Sequence, residues 1–327
     1  MLELNGLKMD MPFFQASLSG YSDLPMRTIA REFGSPLTFA GVMLDKAINH
    51  KKVRCRPDVL PGKEEHPVGG QIMGNDTDDM VRAAIGLREI GYDVVDLNFA
   101  CPAPKVLRRH RGGYMLNAPD HVIEIFRRVR EVVKSPLMMK LRTSFDGSDE
   151  SKNNFWKICD VACTEGIDAL IVHGRPVTER YRGRADWTMI GELKQKYPKT
   201  KIFGSGDIFE AETVVQRLNE TGIDGISIAR GAVGNPWIFR EARALLDGRP
   251  KPPSPALEEM GDVILRHFNM IADFYPKKTG VAYFRKFAAR YCHRHPERKK
   301  AQLALMSAQT GEELCLAIRT WFHLQSS

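Results

Sequence analysis

Eight short apolar or β-branched runs constrain this chain more than any other feature of its sequence. They lie at Met11–Ala16, Leu37–Val42, Val68–Met73, Val94–Leu97, Leu137–Leu141, Ala169–Val172, Lys201–Phe203 and Gly225–Ala229. Most of the intervals between them carry helical periodicity. In Asp78–Ile90, the residues Met80, Ala83, Ala84, Leu87 and Ile90 fall on one face. In Asp120–Val132, Val122, Ile123, Phe126 and Val129 do the same, and Asp120 after Pro119 is predicted to cap that helix. Strands that alternate with helices pair in parallel, and eight such units fit a (β/α)8 TIM barrel of ~250 residues. A doubly wound sheet is the competing α/β architecture. It needs no eighth strand and usually shows an early GxGxxG turn, which this chain lacks.

The pattern changes at Asp247–Pro255, where DGRPKPPSP holds four of the 19 prolines and cannot continue a helix. Only helical patterns follow. The sequence therefore predicts a barrel domain over 1–246, a Pro-rich linker over 247–255 and an all-helical domain over 256–327. Within the last, Gly280–His293 carries an apolar stripe (Phe284, Phe287, Ala288, Tyr291) flanked by Arg285, Lys286, Arg290 and Arg294, and Glu312–His323 reads as a further helix. Charge is divided unevenly between these parts. The chain has 48 Lys+Arg against 40 Asp+Glu, a net of +8, and residues 240–327 alone account for +6 of it. A basic tail on a near-neutral body suggests a polyanionic partner, against the plainer reading of a solvated helical surface. On the first reading, neutralising Lys286, Arg290 and Arg294 is expected to weaken binding of that polyanion.

A composition of 43% hydrophobic and 27% charged residues excludes a disordered or collagen-like chain. No apolar run approaches the ~18 residues that span a bilayer. The opening MLELNGLKMDMPFF lacks the basic start and long apolar stretch of a signal peptide. The cysteines at 55, 101, 159, 163, 292 and 315 form no CxxC. They read as reduced thiols of a cytoplasmic protein, with neither a disulfide framework nor a metal site. A monomer is the default expectation.

In a barrel of this kind the active site lies at the carboxyl ends of the strands. Polar or reactive residues stand at nearly every such end: Gln71, Asn98 with Cys101, Lys140 with Arg142, His173, then Ser205-Gly206-Asp207 and Ala229-Arg230. A purely structural barrel does not need them, because a polar group buried without a partner is costly. The glycine-rich GSGD and ARGAVGNP segments follow the seventh and eighth runs, where barrels commonly bind phosphate through bare backbone, here with Arg230 as a charged anchor. The plainer reading is a pair of turns. A phosphate there, with Gln71, Lys140 and His173 around the mouth, suits FMN. Cys101, in a loop after a strand, is placed to act as an acid or nucleophile rather than as a small buried hydrophobe. Cys159 and Cys163, four apart on an apolar helix face, fit the buried reading. Two basic stretches follow the reactive residues. KVLRRHRGG comes after Cys101 and ERYRGRADW after His173, the latter with Tyr181 and Trp187 interleaved. They read as RNA-facing loops or as solvated ones, and Trp187 as a packing residue.

In order along the chain stand SLSGYSDLPMR, GGQIMG, DLNFACPAPKV, MKLR, VHGRPVTERYRGRADW, FGSGDI and ARGAVGNPWIF. With these motifs the chain resembles the tRNA-dihydrouridine synthases over its whole length, most strongly from Phe13 to Phe239. The resemblance implies a flavoenzyme that reduces the C5–C6 bond of uridines in tRNA, with NADPH reloading the FMN and a helical domain helping to hold tRNA. Reduced FMN would give hydride to C6, and Cys101 matches the cysteine that protonates C5. Gln71, Lys140, His173, Ser205, Gly206, Asp207, Ala229 and Arg230 fall at cofactor positions, and Asn98, Arg142 and Tyr181 at positions that meet the uracil. Ala100, Pro176, Ser205 and Ala229 depart from the family pattern of Gly, Thr, Asn and Gly. The two alanines bear on close backbone approach, since Ala lacks the freedom of Gly. Alternatives are another RNA such as ribosomal RNA, a small pyrimidine-like substrate, or RNA binding without catalysis.

Overall fold

The computed structural model describes residues 1–275 and 277–324, with the backbone alone for residues 277–279. Residues 276 and 325–327 of the predicted helical domain lie outside the described residues. The chain opens with an antiparallel pair, β1 (Leu2–Leu4) and β2 (Leu7–Met9). The barrel strands follow: β3 (Phe13–Gln15), β4 (Thr38–Phe39), β5 (Met43–Leu44), β6 (Val68–Met73), β7 (Val94–Asn98), β8 (Leu137–Arg142), β9 (Ala169–His173), β10 (Lys201–Ser205) and β11 (Gly225–Ile228). All their pairings are parallel. β3 bonds to β11 on one side and β4 on the other, while β4 and β5 both lie along β6, so the sheet closes on itself with eight strand positions. The architecture is a (β/α)8 barrel.

The second strand position, predicted at Leu37–Val42, is thus filled by two fragments, β4 within that run and β5 just beyond its end. Between them the Gly41 N–H leaves the ladder and donates to the Ser22 carbonyl at 3.1 Å. The opening hairpin was not foreseen, because three-residue strands are too short to show a period of two. It has a clear packing role. Leu4 and Met9 join Phe14, Phe39, Val94, Met138, Ala169, Ile171 and Phe203 in one buried cluster that fills the barrel interior. The Phe14 ring sits 5.1 Å from Phe39 and 5.0 Å from Phe203. Gly69 makes room for this cluster, since a Cβ there would lie 2.2 Å from the Phe39 ring.

The surrounding helices are α1 (Leu24–Glu32), α2 (Asp45–Ile48), α3 (Lys51–Arg54), α4 (Thr77–Glu89), α5 (Pro104–Leu107), α6 (Pro119–Val132), α7 (Asp149–Thr164), α8 (Thr188–Lys196), α9 (Ala211–Thr221) and α10 (Trp237–Leu246). α4 begins where the Asp76 carboxylate accepts the Asp79 N–H at 2.9 Å, and it buries Met80, Ala83, Ala84 and Leu87 as its periodicity predicts. α6 buries Val122, Ile123, Phe126 and Val129, but Asp120 does not cap it. Ala118 holds the cap position, Pro119 begins the helix without an N–H to satisfy, and the Asp120 carboxylate turns outward to Lys157 at 2.7 Å.

Residues 247–256 carry no helix or strand. Beyond them come α11 (Leu257–Phe274), α12 (Lys277–Tyr291), α13 (Arg298–Ser307) and α14 (Gly311–Trp321). The apolar stripe of α12 is buried, and a short 3-10 turn, Cys292–Arg294, follows the helix. The basic flank of α12 departs from expectation, because most of it is not a free surface. Arg294 donates to both oxygens of the buried Glu241, at 2.6 and 3.1 Å. Arg285 donates to the Ala308 carbonyl at 2.7 Å. Lys286 donates to the Gly20 carbonyl and lies 3.0 Å from the Tyr283 ring centroid, and burial pushes its ammonium down to about 8 against the pull of Asp23. Arg290 is the member of the flank that stays exposed.

Arg294 therefore belongs to the scaffold. R294A strands a buried carboxylate, for which Lys251 at 3.7 Å is only partial compensation. It is expected to lower unfolding free energy by about 2–4 kcal/mol in urea titration, whereas removing the exposed charge in R298A costs well under about 1 kcal/mol. Equal effects of the two substitutions would refute this assignment.

Candidate active site

The register of the barrel decides which side chains meet. In parallel pairing Gln71 lies opposite Asp96, Asn98 opposite Lys140, Arg142 opposite His173, and His173 opposite Ser205. These residues cluster at the carboxyl ends of β6 to β10. All of them but Asp96 line a cavity of about 520 Å³, and so do Cys101, Tyr181, Gly206, Asp207, Ala229 and Arg230 from the following loops. All the residues named at the site from sequence line this one cavity.

The Cys101 loop is held from three directions. The Asn98 Oδ1 accepts the backbone N–H groups of Ala100 and Cys101, both at 3.0 Å. The Arg142 Nε donates to the Ala100 carbonyl at 3.0 Å, and the Gly113 N–H donates to the Cys101 carbonyl at 3.0 Å. Arg142 also donates through Nη1 to the carbonyls of Pro176 (3.0 Å) and Arg180 (2.8 Å), tying the Cys101 loop to the segment that carries Tyr181. Cys101 itself is half-buried and faces the cavity.

Beneath the loop, the Gln71 Oε1 accepts from Asn98 Nδ2 at 2.7 Å, and Gln71 Nε2 donates to Asp96 at 2.6 Å. Burial raises the Asp96 carboxyl to about 6, while Gln71 and Lys140 pull it back down. Burial likewise lowers the Lys140 ammonium, with Asp96 holding it up. Among the described residues Lys140 has no hydrogen-bond partner, so its donors remain for a ligand. His173 is pushed down to about 2, first by burial and then by Arg142, Lys140, Arg175 and Arg230. It is a neutral imidazole, fit to donate or accept a hydrogen bond rather than to supply a proton.

Two loops close the far side. Arg175 is buried and donates to the carbonyls of Arg182 (2.9 Å) and Gly183 (2.7 Å) and to the Asp207 carboxylate. Asp207 also accepts the Ala185 N–H at 2.9 Å and lies 3.3 Å from Arg230. Its carboxylate thus serves the loop more than the cavity. Arg230 stacks 4.4 Å from the ring centroid of the exposed Tyr181. Gly206, at φ +126, needs to be glycine, because a Cβ would come within 2.6 Å of Ala185. Ala100 and Ala229 are not at positive φ, so neither occupies the left-handed backbone that favours glycine.

The two basic loops divide. His110 stacks on Tyr114 at 4.3 Å, and Arg111 donates to Asn75 at 3.3 Å and lies 3.7 Å from the buried Asp45. The side chains of Lys105, Arg108 and Arg109 are exposed and, among the described residues, unpartnered. Arg180, Arg182, Arg184 and Tyr181 are exposed as well, whereas Trp187 is buried. Cys159 is fully buried and its thiol pushed well above the usual range, and Cys163 is pushed up to about 11.

Some contributors were not named as site residues from sequence, although the SLSGYSDLPMR segment and Arg290 were singled out. Ser17, Leu18, Ser19 and Tyr21 form a wall from the loop after β3, Ser227 comes from β11, and Arg290 reaches in from α12. Asp96 lies under the floor. Its one sequence signal was an acid inside an otherwise apolar run, two residues before Asn98.

The dihydrouridine synthase (Dus) family profile matches residues 14–321. The chain belongs to the dihydrouridine synthase family. It is 32% identical over 308 residues to tRNA-dihydrouridine synthase B of Pseudomonas putida, covering 94% of this chain and 90% of that protein. It is also 32% identical over 311 residues to the protein of the same name from Pasteurella multocida, covering 95% and 92%. Among solved structures, 2-naphthoyl-CoA reductase matches at a TM-score of 0.60 with 13% identity, over 99% of this chain and 69% of that one. Morphinone reductase matches at a TM-score of 0.56 with 13% identity, over 78% and 92%. These two share the fold.

A flavin fits the residues of this family member's cavity. The His173 Nδ1 and Ser227 Oγ are buried polar atoms without partners, and the free ammonium of Lys140 adds a cation. Unpaired buried groups of this kind call for a polar ligand. Because the folded-state value of His173 lies far below neutrality, its imidazole is expected to show no titration by NMR between about pH 5 and 9. An inflection near the ordinary imidazole value would show that the surrounding cations do not act on it as described.

Proposed function

We propose that this chain reduces the C5–C6 double bond of uridines in tRNA to 5,6-dihydrouridine, using FMN and NADPH. The carrying observation is the convergence of Cys101, Lys140, Arg142 and His173 on one cavity in a member of the dihydrouridine synthase family. The names of the relatives, tRNA-dihydrouridine synthases, support tRNA as the substrate.

On this reading Gln71, Lys140, His173, Ser205, Gly206, Ala229 and Arg230 hold FMN, with Asp207 bracing Arg230. When bound, the reduced flavin supplies the hydride that C6 of the uracil requires. The Cys101 thiol gives its proton to C5, so that the ring gains two hydrogens. Lys140 and Arg142 line the same cavity as the Cys101 thiol. Asn98 fixes the loop that carries the thiol, and Arg142 and Tyr181 face the uracil. A uridine must leave its stack to enter such a cavity. The unpartnered cations around the mouth suit its phosphates better than they suit a free pyrimidine. We assign the barrel, 1–246, to catalysis and the helices of 256–327, beyond the linker of 247–255, to holding the RNA.

Cys101→Ala is expected to keep its flavin and its RNA affinity while losing ~10²–10⁴-fold in turnover, read as the mass gained by substrate uridines. Full activity would remove Cys101 from the mechanism. Neutralising Lys105, Arg108 and Arg109 together is expected to weaken RNA binding and to reduce the slope of log K against log salt by about 2. An unchanged slope would show that this loop meets no phosphate.

A further inference from the structure

The amides of Gln71 and Asn98 pose a problem that shape alone does not solve. Each can be reversed end for end with little change in volume, because an amide oxygen and an amide NH2 are nearly the same size. Only one orientation of each serves the Cys101 loop. The Asn98 Oδ1 must face the N–H groups of Ala100 and Cys101, both 3.0 Å away. Reversal would set an NH2 against two N–H donors and leave all of them unpaired in a buried setting. Something must therefore select the orientation.

We propose that Asp96 is the positioning residue that makes this selection, acting through Gln71 and Asn98 on the loop that carries Cys101. Asp96 is buried inside β7, and its Oδ2 accepts from Gln71 Nε2 at 2.6 Å. An ionised carboxylate only accepts. Gln71 must turn its NH2 toward Asp96 and therefore its oxygen toward Asn98. Asn98 meets that oxygen with Nδ2 at 2.7 Å, which leaves its own oxygen for the loop. The negative charge at one end thus orders every donor and acceptor up to Cys101. The other anchors of the loop, Arg142 on the Ala100 carbonyl and Gly113 on the Cys101 carbonyl, hold its acceptors and cannot order its donors. The Phe99 N–H goes to the Lys140 carbonyl at 2.9 Å, and among the described residues the acceptor for the Ala100 and Cys101 N–H groups is Asn98, whose amide chain ends in the strand interior at Asp96. The consequence for turnover rests on the role given to Cys101 above, but the positioning itself does not.

The test is the alkylation rate of Cys101 by iodoacetamide, resolved by peptide mass mapping on the full chain, with the exposed Cys55 as the internal reference. D96N replaces an acceptor-only group by one that can present either end, so the loop loses its ordered anchor. Cys101 is expected to react about tenfold faster relative to Cys55, the factor that one hydrogen bond commonly carries. The double variant D96N/Q71E moves the carboxylate one step along the chain. The group introduced by Q71E accepts from the amide introduced by D96N and from Asn98 Nδ2, so Asn98 keeps its orientation. Its Cys101 rate is expected to return to within about twofold of the parent. A merely space-filling role for Asp96 predicts no such rescue. An unchanged Cys101 rate in D96N, or a double variant that reacts as fast as D96N, overturns the proposal. Where D96N proves too unstable to read, D96N/Q71E decides alone, and its failure to fold or to protect Cys101 overturns the proposal. Alkylation needs no RNA, so absence of dihydrouridine formation by the parent enzyme would sink the functional reading and leave this result standing.

Discussion

The closure of the parallel sheet through β3 is the constraint on which everything else here depends. A strand of three residues bonds to the last strand on one side and to the second on the other. Once it does so, every barrel strand points its carboxyl end at the same mouth, and register alone fixes which side chains become neighbours. Lys140 and Arg142 face inward together because they are two residues apart on β8. The opposite end has a different solution. Phe14, Phe39 and Phe203 fill it, and the opening hairpin presses Leu4 and Met9 onto them. One end of the barrel is thus apolar and full, and the space that remains lies among polar groups at the other.

Those polar groups are strongly biased toward positive charge. Lys140, Arg142 and Arg230 line the cavity and Arg175 lies behind it, while the acids at hand are Asp96 beneath the floor and Asp207, which is engaged by Arg175. The bias explains why His173 is held neutral. Burial removes water that would stabilise an imidazolium, and each cation nearby raises the cost further. It also explains why Asp96 remains a carboxylate near neutral pH despite full burial, since Lys140 and Gln71 both favour its charged form. Lys140 thus works against the one charge and for the other.

How much of this was legible in the sequence follows from the range of the interactions involved. The barrel strands and their terminal polar residues were readable, because an apolar run and the residue that ends it are local. The break between β4 and β5 was not, since it depends on the Gly41 N–H finding a carbonyl on the loop after β3. Asp120 looked like a cap from its neighbours alone, but Pro119 had already removed one of the donors a cap would serve. The helical place of Lys286 is legible in the sequence, but the end of the helix before Arg294 and the pairing of both side chains are not. The partner of Arg294 is Glu241, on α10, and that of Lys286 is a carbonyl at Gly20, far away in the sequence. Asp96 was overlooked for the opposite reason, because an acid in a strand interior is informative only once its burial is known.

That pairing of α12 with Gly20 changes how the helical part relates to the cavity. Gly20 belongs to the loop whose Ser17, Leu18, Ser19 and Tyr21 form one cavity wall. α12 grips this loop at several points. Lys286 donates to the Gly20 carbonyl, the Tyr283 hydroxyl donates to it at 3.1 Å, and Phe287 meets the Tyr21 ring edge-on at 5.5 Å. One turn further along α12, Arg290 lines the cavity itself. The charges of α12 and of the 3-10 turn after it therefore do two different things. Lys286 and Arg294 fix the helix to the barrel, and Arg290 is offered to whatever occupies the mouth. A basic helix that reads as a single track in the sequence is, in three dimensions, mostly a joint. Because the joint includes a cavity wall, the seating of the helical part and the shape of the cavity are set by the same contacts.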